Sequence, residues 1–252
     1  MNRKHTVLWV FALTALLLLI FIQPVGVQAG RKLTPTPTPT APPPPLITNG
    51  SRDLPEVALT FDACPARGFD SGIIHVLTET QTPATFFLSG WWMQSHISAT
   101  QLLASIPYFE LGEHSWSHPN FARLSAAQID DQISRTESLL TQLAGHSAGL
   151  FRFPYGGYST RALREIYRLG LTPIQWDVVS ADPVRSMTAK LITTRVLSQT
   201  QNGSIVIMHV NGRGWHTAEA LPAIIAGLRE RGFRLVTITE LLRDQAATLP
   251  SY

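Results

Sequence analysis

From about residue 47 onward, short apolar segments rich in β-branched and aromatic residues alternate with longer segments whose apolar positions recur at helical spacing. The short segments predict seven strands, at residues 57–61, 84–88, 109–112, 150–153, 172–176, 204–209 and 233–238. The longer segments predict helices at residues 71–80, 125–143, 159–169 and 217–231. The clearest of these is 125–143, because Ser125 can cap its first turn and Gly145 follows its last.

This alternation of strands and helices favours parallel strand pairing, because parallel strands need a crossover connection. Seven strands are close to the eight of a complete (β/α) barrel. We therefore expect an α/β fold, an irregular (β/α)7-type barrel that forms a single domain over residues 47–252. A doubly wound open sheet is the alternative, and periodicity does not separate the two. In either architecture the carboxyl ends of the strands share one edge, where functional side chains gather.

The first 46 residues follow a different pattern. A short basic segment precedes an unbroken apolar stretch over residues 7–22, and Val27-Gln28-Ala29 has small residues where a signal peptidase cleaves. Residues 1–29 are therefore predicted to be a signal peptide, with an uncleaved membrane anchor as the alternative. Residues 30–46, rich in threonine and proline, predict an extended linker. We expect an exported protein that is secreted, associated with the cell wall or anchored to the outer face of the cytoplasmic membrane.

Charge and cysteine content remove some classes of function. The net charge of the 252-residue chain is only +3 and is scattered, without a basic run, so we expect no nucleic-acid partner. Cys64 is the only cysteine, so no internal disulfide can form. Hydrophobic residues make up 44% of the chain, enough for a large buried core. Nothing in the composition indicates an oligomeric state.

Titratable side chains follow most of the predicted strands, at the edge that parallel pairing would share. They are Asp62, His114, His118, Arg152, Tyr155, Asp177, Asp182 and His209. Each alone has an ordinary explanation, since aspartate often caps helices and a lone histidine on an apolar strand is usually a core residue. Their convergence on one edge is the stronger argument for a catalytic site.

Two pairings within this group have a chemical rationale. His114 and His118 are four residues apart, so on one helical turn, with Glu113 beside them, both imidazoles could reach one cation. Asp62 ends an apolar strand, where a buried carboxylate needs a cationic partner such as Arg152. His209, at the exit of another apolar strand, could act as a general acid with Asp182 as its orienting partner.

Together these segments resemble the polysaccharide deacetylase family, also known as the NodB-homology domain or carbohydrate esterase family 4. The resemblance covers about residues 55–243. It is carried by Thr60-Phe61-Asp62, His114-Ser115-Trp116-Ser117-His118-Pro119, Arg152-Phe153-Pro154-Tyr155-Gly156 and Ile207-Met208-His209. It implies a metal-dependent hydrolase that removes N-acetyl groups from an extracellular amino-sugar polymer, such as peptidoglycan or a chitin-like glycan. A metal-poor glycan-binding pseudoenzyme of the same fold and an O-acetyl esterase are the alternatives.

The resemblance also implies a role for each residue at the metal. Asp62 would be the base that takes a proton from a metal-bound water, and Arg152 would orient it. His114 and His118 would bind a divalent metal, first of all zinc, with cobalt, nickel and manganese as alternatives. The metal would polarise the amide carbonyl.

Further roles concern the substrate. The backbone N–H of Tyr155 would help to hold the oxyanion. His209 would protonate the leaving amine, with Asp182 tuning its pKa. Trp176 and Ile207 would form walls of the pocket for the acetyl methyl group.

The sequence departs from the family at the third metal ligand. The resemblance implies a second aspartate directly after Asp62, but this position is Ala63, and the following glycine is Cys64. An Asp70 carboxylate, a Cys64 thiolate or Asp62 itself could complete the site. We favour Asp70, because it keeps an oxygen donor and leaves Asp62 free as a base. A milder departure is Val179, where an acidic residue is expected.

Overall fold

In the computed structural model of the chain, which describes residues 44–64 and 68–248, a curled sheet of eight parallel strands forms the centre of the fold. The strands are β1 (Glu56–Ala63), β2 (Ala84–Leu88), β3 (Phe109–Glu113), β4 (Leu150–Phe151), β5 (Thr172–Pro173), β6 (Val178–Val179), β7 (Ser204–His209) and β8 (Arg234–Val236). Their order is β5-β4-β3-β2-β1-β7-β6, with β8 paired to β1. Strands β5 and β6 lie at the two ends of this order and do not pair with each other, so the sheet curls into an incomplete barrel. The prediction of an irregular (β/α)7-type barrel is confirmed.

Strand β1 organises the sheet. It pairs with β7 over residues 57–62, with β2 over 60–63 and with β8 over 56–58. The β7 pairing occupies one edge of β1 along most of its length, so β8 and β2 share the other edge in succession. All eight residues of β1 are buried, as expected for a central parallel strand covered on both faces.

Eight α-helices surround the sheet in the described part of the chain. They are α1 (Ser71–Glu79), α2 (Gly90–Ser95), α3 (Ile97–Ser105), α4 (Ala126–Ala144), α5 (Thr160–Arg168), α6 (Ala189–Gln199), α7 (Thr217–Glu230) and α8 (Ile238–Thr248). The four predicted helices are present, and none of their ends differs from the prediction by more than one residue. Helix α4 begins with a capping box between Ser125 and Gln128 and ends at Gly145, whose φ is 81°.

Some element boundaries differ from the sequence pattern. The strands predicted at 150–153, 172–176 and 233–238 are shorter, because the residues beyond them turn toward the site or begin α8. The pattern does not predict α2 or α3. Helix α2 has only six residues, and α3 buries only Thr100 and Leu103, so neither shows a clear helical period of apolar residues. It also does not predict β6, α6 or α8.

The core has two parts, one on each face of β1. Leu59, Phe61 and Ala63 belong to the larger apolar cluster, which packs the sheet against the helices. Ala58 belongs to a smaller cluster inside the barrel, with residues such as Phe87 and Ile205. Because side chains alternate along a strand, Asp62 shares the inner face with Ala58, whereas Ala63 faces the helices. The inner face therefore presents polar chemistry at the carboxyl end of β1.

The predicted leader at residues 1–29 lies outside the described residues, as does nearly all of the predicted linker at 30–46, so both stay predictions. Among the described helices, none combines the length and apolar character that a membrane span needs. The described residues belong to one compact unit.

Candidate active site

A cavity of about 290 Å³ opens at the carboxyl ends of β1, β6 and β7. Seven of the residues predicted from the sequence line it: Asp62, His118, Tyr155, Trp176, Asp182, Ile207 and His209. The parallel topology thus brings together side chains that are far apart in the sequence, as the position of each after its strand predicts.

Asp62 and Arg152 form a buried ion pair behind this cavity. Arg152 Nη1 donates to Asp62 Oδ1 at 2.8 Å and to Thr60 Oγ1 at 2.8 Å, while Nη2 donates to the Gln175 carbonyl at 3.2 Å. Arg152 is fully buried, and its guanidinium stacks 4.0 Å from the centroid of the Phe87 ring. Burial is the largest single effect and raises the pKa of Asp62, but the charge and hydrogen bond of Arg152 together with the charges of His114 and His209 outweigh it and hold that pKa below its usual value. The carboxylate is therefore ionised at neutral pH and can accept a proton.

The two histidines meet a third side chain, that of Cys64. The nearest ligand atoms of Cys64, His114 and His118 all lie within 4.8 Å of one another. His114 Nδ1 lies 2.8 Å from the Arg152 carbonyl, which can only accept, so Nδ1 carries the proton and Nε2 keeps a free lone pair. Burial lowers the pKa of His114 and lowers that of His118 to about 3. Both imidazoles are neutral at neutral pH, the form in which histidine binds a metal.

The segment between the histidines is not a helical turn, so that part of the prediction was wrong. Residues 114–118 form a loop in which Ser115 (φ 66°) and His118 (φ 60°) adopt left-handed conformations. The His114 N–H donates to the Leu88 carbonyl, and the Ser115 carbonyl accepts from the Gly90 N–H. These bonds join the loop to β2 and α2. The His118 N–H, which a helical turn would bond to the His114 carbonyl, instead donates to Ser115 Oγ at 3.1 Å. The loop nevertheless places the centroids of the two imidazole rings 4.8 Å apart.

Asp70 does not join the histidines. It is the N-cap of α1, where its Oδ1 accepts from the Gly72 N–H at 2.9 Å. It is absent from the group of described side chains whose ligand atoms lie close enough to share a metal, and the third member of that group is Cys64. Glu113 also stays outside this group; it is fully buried, and burial raises its pKa well above the usual value.

His209 and Asp182 form a second pair, in which His209 is the register partner of Asp62 on the neighbouring strand β7. His209 Nδ1 lies 2.9 Å from Asp182 Oδ1, and the His209 backbone N–H donates to Oδ2 at 2.8 Å. The buried Asp182 also accepts from Ser180 Oγ and Thr217 Oγ1. Burial lowers the pKa of His209, but the hydrogen bond and charge of Asp182 exceed this effect and raise it. Such a histidine can hold a proton at its other nitrogen, Nε2.

The remaining predicted residues have distinct positions. Tyr155 has φ 58° and an exposed side chain whose ring centroid is 4.4 Å from that of His118. Asp177 accepts from Arg52 and Ser204, which is a structural use. Val179 lines the cavity where the family comparison led us to expect an acid. No sequence pattern points to Ser180 or Arg213, which also line it, because their placement depends on two loops that meet only in the fold.

Gly214 is placed where a side chain would damage the His209–Asp182 pair. A Cβ atom there would lie 2.6 Å from the His209 carbonyl oxygen and 2.7 Å from Asp182 Oδ2. We expect Gly214→Ala to lower the free energy of unfolding by about 1–3 kcal/mol, the usual cost of overpacking. Urea unfolding checks this against Gly149→Ala, whose Cβ would meet nothing within 4 Å. Equal stability of the two variants would contradict the close packing described here.

Comparison with known proteins gives a consistent result. The profile of the polysaccharide deacetylase family matches residues 49–174. The peptidoglycan-N-acetylglucosamine deacetylase of Bacillus cereus is 31% identical over 77% of this chain and 71% of that protein. The uncharacterized protein YlxY of Bacillus subtilis is 28% identical, over 79% of this chain and only 60% of that protein.

A solved structure adds a second aspect. A carbohydrate esterase family 4 pseudoenzyme from Bacillus anthracis aligns with a TM-score of 0.73 and 28% identity, over 79% of this chain and 69% of that one. A mutant of that pseudoenzyme with restored enzymatic activity aligns with the same TM-score, at 29% identity and over 71% of its length. Similarity to this fold is thus shared by active and inactive proteins.

Proposed function

The chain belongs to the polysaccharide deacetylase family, and from this premise we propose that it hydrolyses N-acetyl groups on an extracellular amino-sugar polymer, with peptidoglycan as the first candidate. The observation that carries the proposal is that two pairs of residues face one cavity. One pair supplies a proton acceptor and the other supplies a proton donor. Asp62 is held ionised by Arg152, and His209 is held by Asp182. Amide hydrolysis needs both, since one group must accept the proton of water and another must protonate the amine.

We propose that His114 and His118 hold a divalent metal, zinc first. The donor chemistry fits, because both rings are neutral and Nε2 of His114 keeps its lone pair toward the cluster. When bound, the metal would polarise the acetyl carbonyl and make water a better nucleophile at neutral pH.

Different protein groups carry out the two proton transfers. Asp62 accepts the proton of the attacking water on Oδ2, the oxygen that Arg152 leaves free. The Tyr155 backbone N–H donates to the carbonyl oxygen as negative charge develops on it. His209 gives the Nε2 proton to the nitrogen of the departing amine, because Nδ1 is held by Asp182. Trp176 and Ile207 enclose the acetyl methyl group.

The proposal includes an exported location. Residues 1–29 would direct export or anchor the chain, and residues 30–46 would space the catalytic domain at 47–252 from the membrane or wall. A polymer too large to enter the cell is consistent with this arrangement. The curated deacetylase relative from Bacillus cereus acts, by its name, on peptidoglycan.

Acetate release by the purified full-length protein tests the function. Peptidoglycan fragments, N-acetylated chitin oligomers and O-acetylated xylan are compared, each with added zinc and after chelation. We expect zinc-dependent release from an N-acetylated glycan. Release from xylan alone would instead support an O-acetyl esterase.

A second candidate function is glycan binding without turnover. It is favoured by Ala63, which cannot bind a metal, and by the similarity to a family pseudoenzyme. No acetate from any of these substrates, together with retention of the protein on a peptidoglycan column, would establish this alternative.

The acid pair predicts a change in pH dependence. Because the charge of Asp182 raises the pKa of His209, Asp182→Asn is expected to lower that pKa. His209 then loses its proton at a lower pH, so the alkaline limb of the kcat/KM profile moves to lower pH. Asp62 and Arg213 also face His209 and stay unchanged in the variant.

Thr217→Val provides the control. It removes a hydrogen bond to the same Asp182 carboxylate but keeps the negative charge, so the alkaline limb should stay near its wild-type position. If both variants shift the limb equally, the effect comes from disturbed packing, and the electrostatic explanation fails.

A further inference from the structure

The residue at the position of the family's third ligand has no donor atom in its side chain. Ala63 is the last residue of β1, fully buried, and its side chain belongs to the apolar cluster between sheet and helices. It pairs with Leu88 on β2. A methyl group cannot bind a metal. The third ligand must therefore come from another residue.

Cys64 follows β1 and returns to the inner side. It is buried and lines the same cavity as Asp62 and His118. Its carbonyl accepts from Asn211 Nδ2 at 3.2 Å, which fixes the backbone at this point. Asn211 is itself buried and lies two residues after β7, so the position of Cys64 is tied to the other side of the site.

The distance between Cys64 and His114 fits a shared metal. Zinc binds sulfur at about 2.3 Å and imidazole nitrogen at about 2.0–2.1 Å, so tetrahedral geometry sets the sulfur and nitrogen about 3.6 Å apart. The observed distance from Cys64 Sγ to His114 Nε2 is 3.7 Å. A hydrogen bond from the Cys64 thiol to the His114 imidazole would also fit this distance. It would not account for the ligand atom of His118, which lies within 4.8 Å of the ligand atoms of the other two residues.

We propose that Cys64 is the third protein ligand of the metal, together with His114 and His118, and that its thiol releases its proton to solvent when the metal binds. This inference rests on the proposed function. Two imidazoles and one thiolate leave a fourth tetrahedral position open for water or substrate, as in catalytic zinc sites. A sulfur donor favours zinc and cobalt over the harder manganese and magnesium ions. The site thus differs from an oxygen-ligated one in its metal preference.

Cobalt substitution of the full-length protein tests the ligand directly. Co²⁺ bound by a thiolate gives a near-ultraviolet sulfur-to-metal charge-transfer band, whatever the activity. We expect this band in the wild type and its loss in Cys64→Ser and Cys64→Asp. Zinc affinity, measured by competition with a chelating dye, should fall in Cys64→Ser by at least the roughly 100-fold seen when outer contacts of a metal site are lost. The carboxylate of Cys64→Asp should recover much of that affinity.

Asp70→Ala distinguishes the two candidate ligands. We expect it to keep the cobalt band and the zinc affinity, because Asp70 caps α1. Bound cobalt without the band in the wild type would overturn the assignment of Cys64, even if Cys64→Ser did not fold. In that case metal binding by His114→Ala tests whether the proposed metal site exists. Loss of metal in that variant would leave the proposed function standing, whereas retention would remove its metal site.

Discussion

Replacing Asp62 with asparagine is expected to lower kcat for acetate release by a factor of about 10²–10⁴, the usual contribution of a general base. The asparagine side chain has nearly the same shape, so it can still accept a hydrogen bond from Arg152 through its oxygen. It cannot accept the proton of the attacking water. The loss should therefore appear in kcat with little change in KM. Steady-state kinetics on an N-acetylated glycan at saturating zinc measure both.

The control for this prediction is Asp53→Asn. Asp53 is an exposed aspartate just before β1 and lies away from the residues that line the cavity. The same change of carboxylate to amide there should leave kcat close to the wild-type value. Metal content must be compared as well, since Asp62 Oδ2 lies 3.7 Å from His114 Nε2. A fall in kcat that is fully explained by lost zinc would assign Asp62 to the metal and not to proton transfer.

Replacing Arg152 with methionine is expected to lower the free energy of unfolding by about 3–5 kcal/mol, because removal of one partner leaves a buried charge uncompensated. Asp62 would lose its cation, and Thr60 and the Gln175 carbonyl would each lose a donor. Guanidinium unfolding at neutral pH measures the change. Asp62→Asn/Arg152→Met should recover much of the loss, since replacing both partners of a buried pair is often close to neutral.

The pH dependence gives a second check on Arg152→Met. In the wild type the pKa of Asp62 is depressed, so its stabilising contribution is present above the unfolded pKa and is lost as the pH falls through the folded value. Without Arg152 burial raises that pKa, and protonation then relieves the cost as the pH falls. The stability gap between variant and wild type should therefore narrow in acid. A gap independent of pH would indicate a packing defect instead.

Much of the fold was predictable because its signals are local. Helix α4 has its cap, its apolar spacing and its terminating glycine within one continuous segment. The same holds for the strands around Asp62 and His209, whose apolar runs end in a titratable residue. Once parallel pairing is inferred, the topology places these residues at one edge of the sheet. The structure contains the predicted contacts of Asp62 with Arg152 and of His209 with Asp182.

The features that were not predictable depend on contacts between distant segments. The loop from His114 to His118 takes two left-handed residues because its backbone bonds to β2 and α2, which no spacing rule reveals. Asp70 is a suitable metal donor by residue type, but its carboxylate is committed to the start of α1. Cys64 enters the site only because β1 ends where it does. These outcomes depend on the direction in which each side chain and backbone group points, and a sequence pattern does not contain that information.

Arg152 contributes to the site through two different parts of one residue. Its guanidinium holds the Asp62 carboxylate, and its backbone carbonyl holds Nδ1 of His114. The proposed base and a proposed metal ligand are therefore fixed to the same rigid support, immediately after β4. Thermal movement of that support would carry both groups in the same direction. The distance between them would therefore change little when the strands of the barrel move relative to one another, even though the two residues belong to different strands.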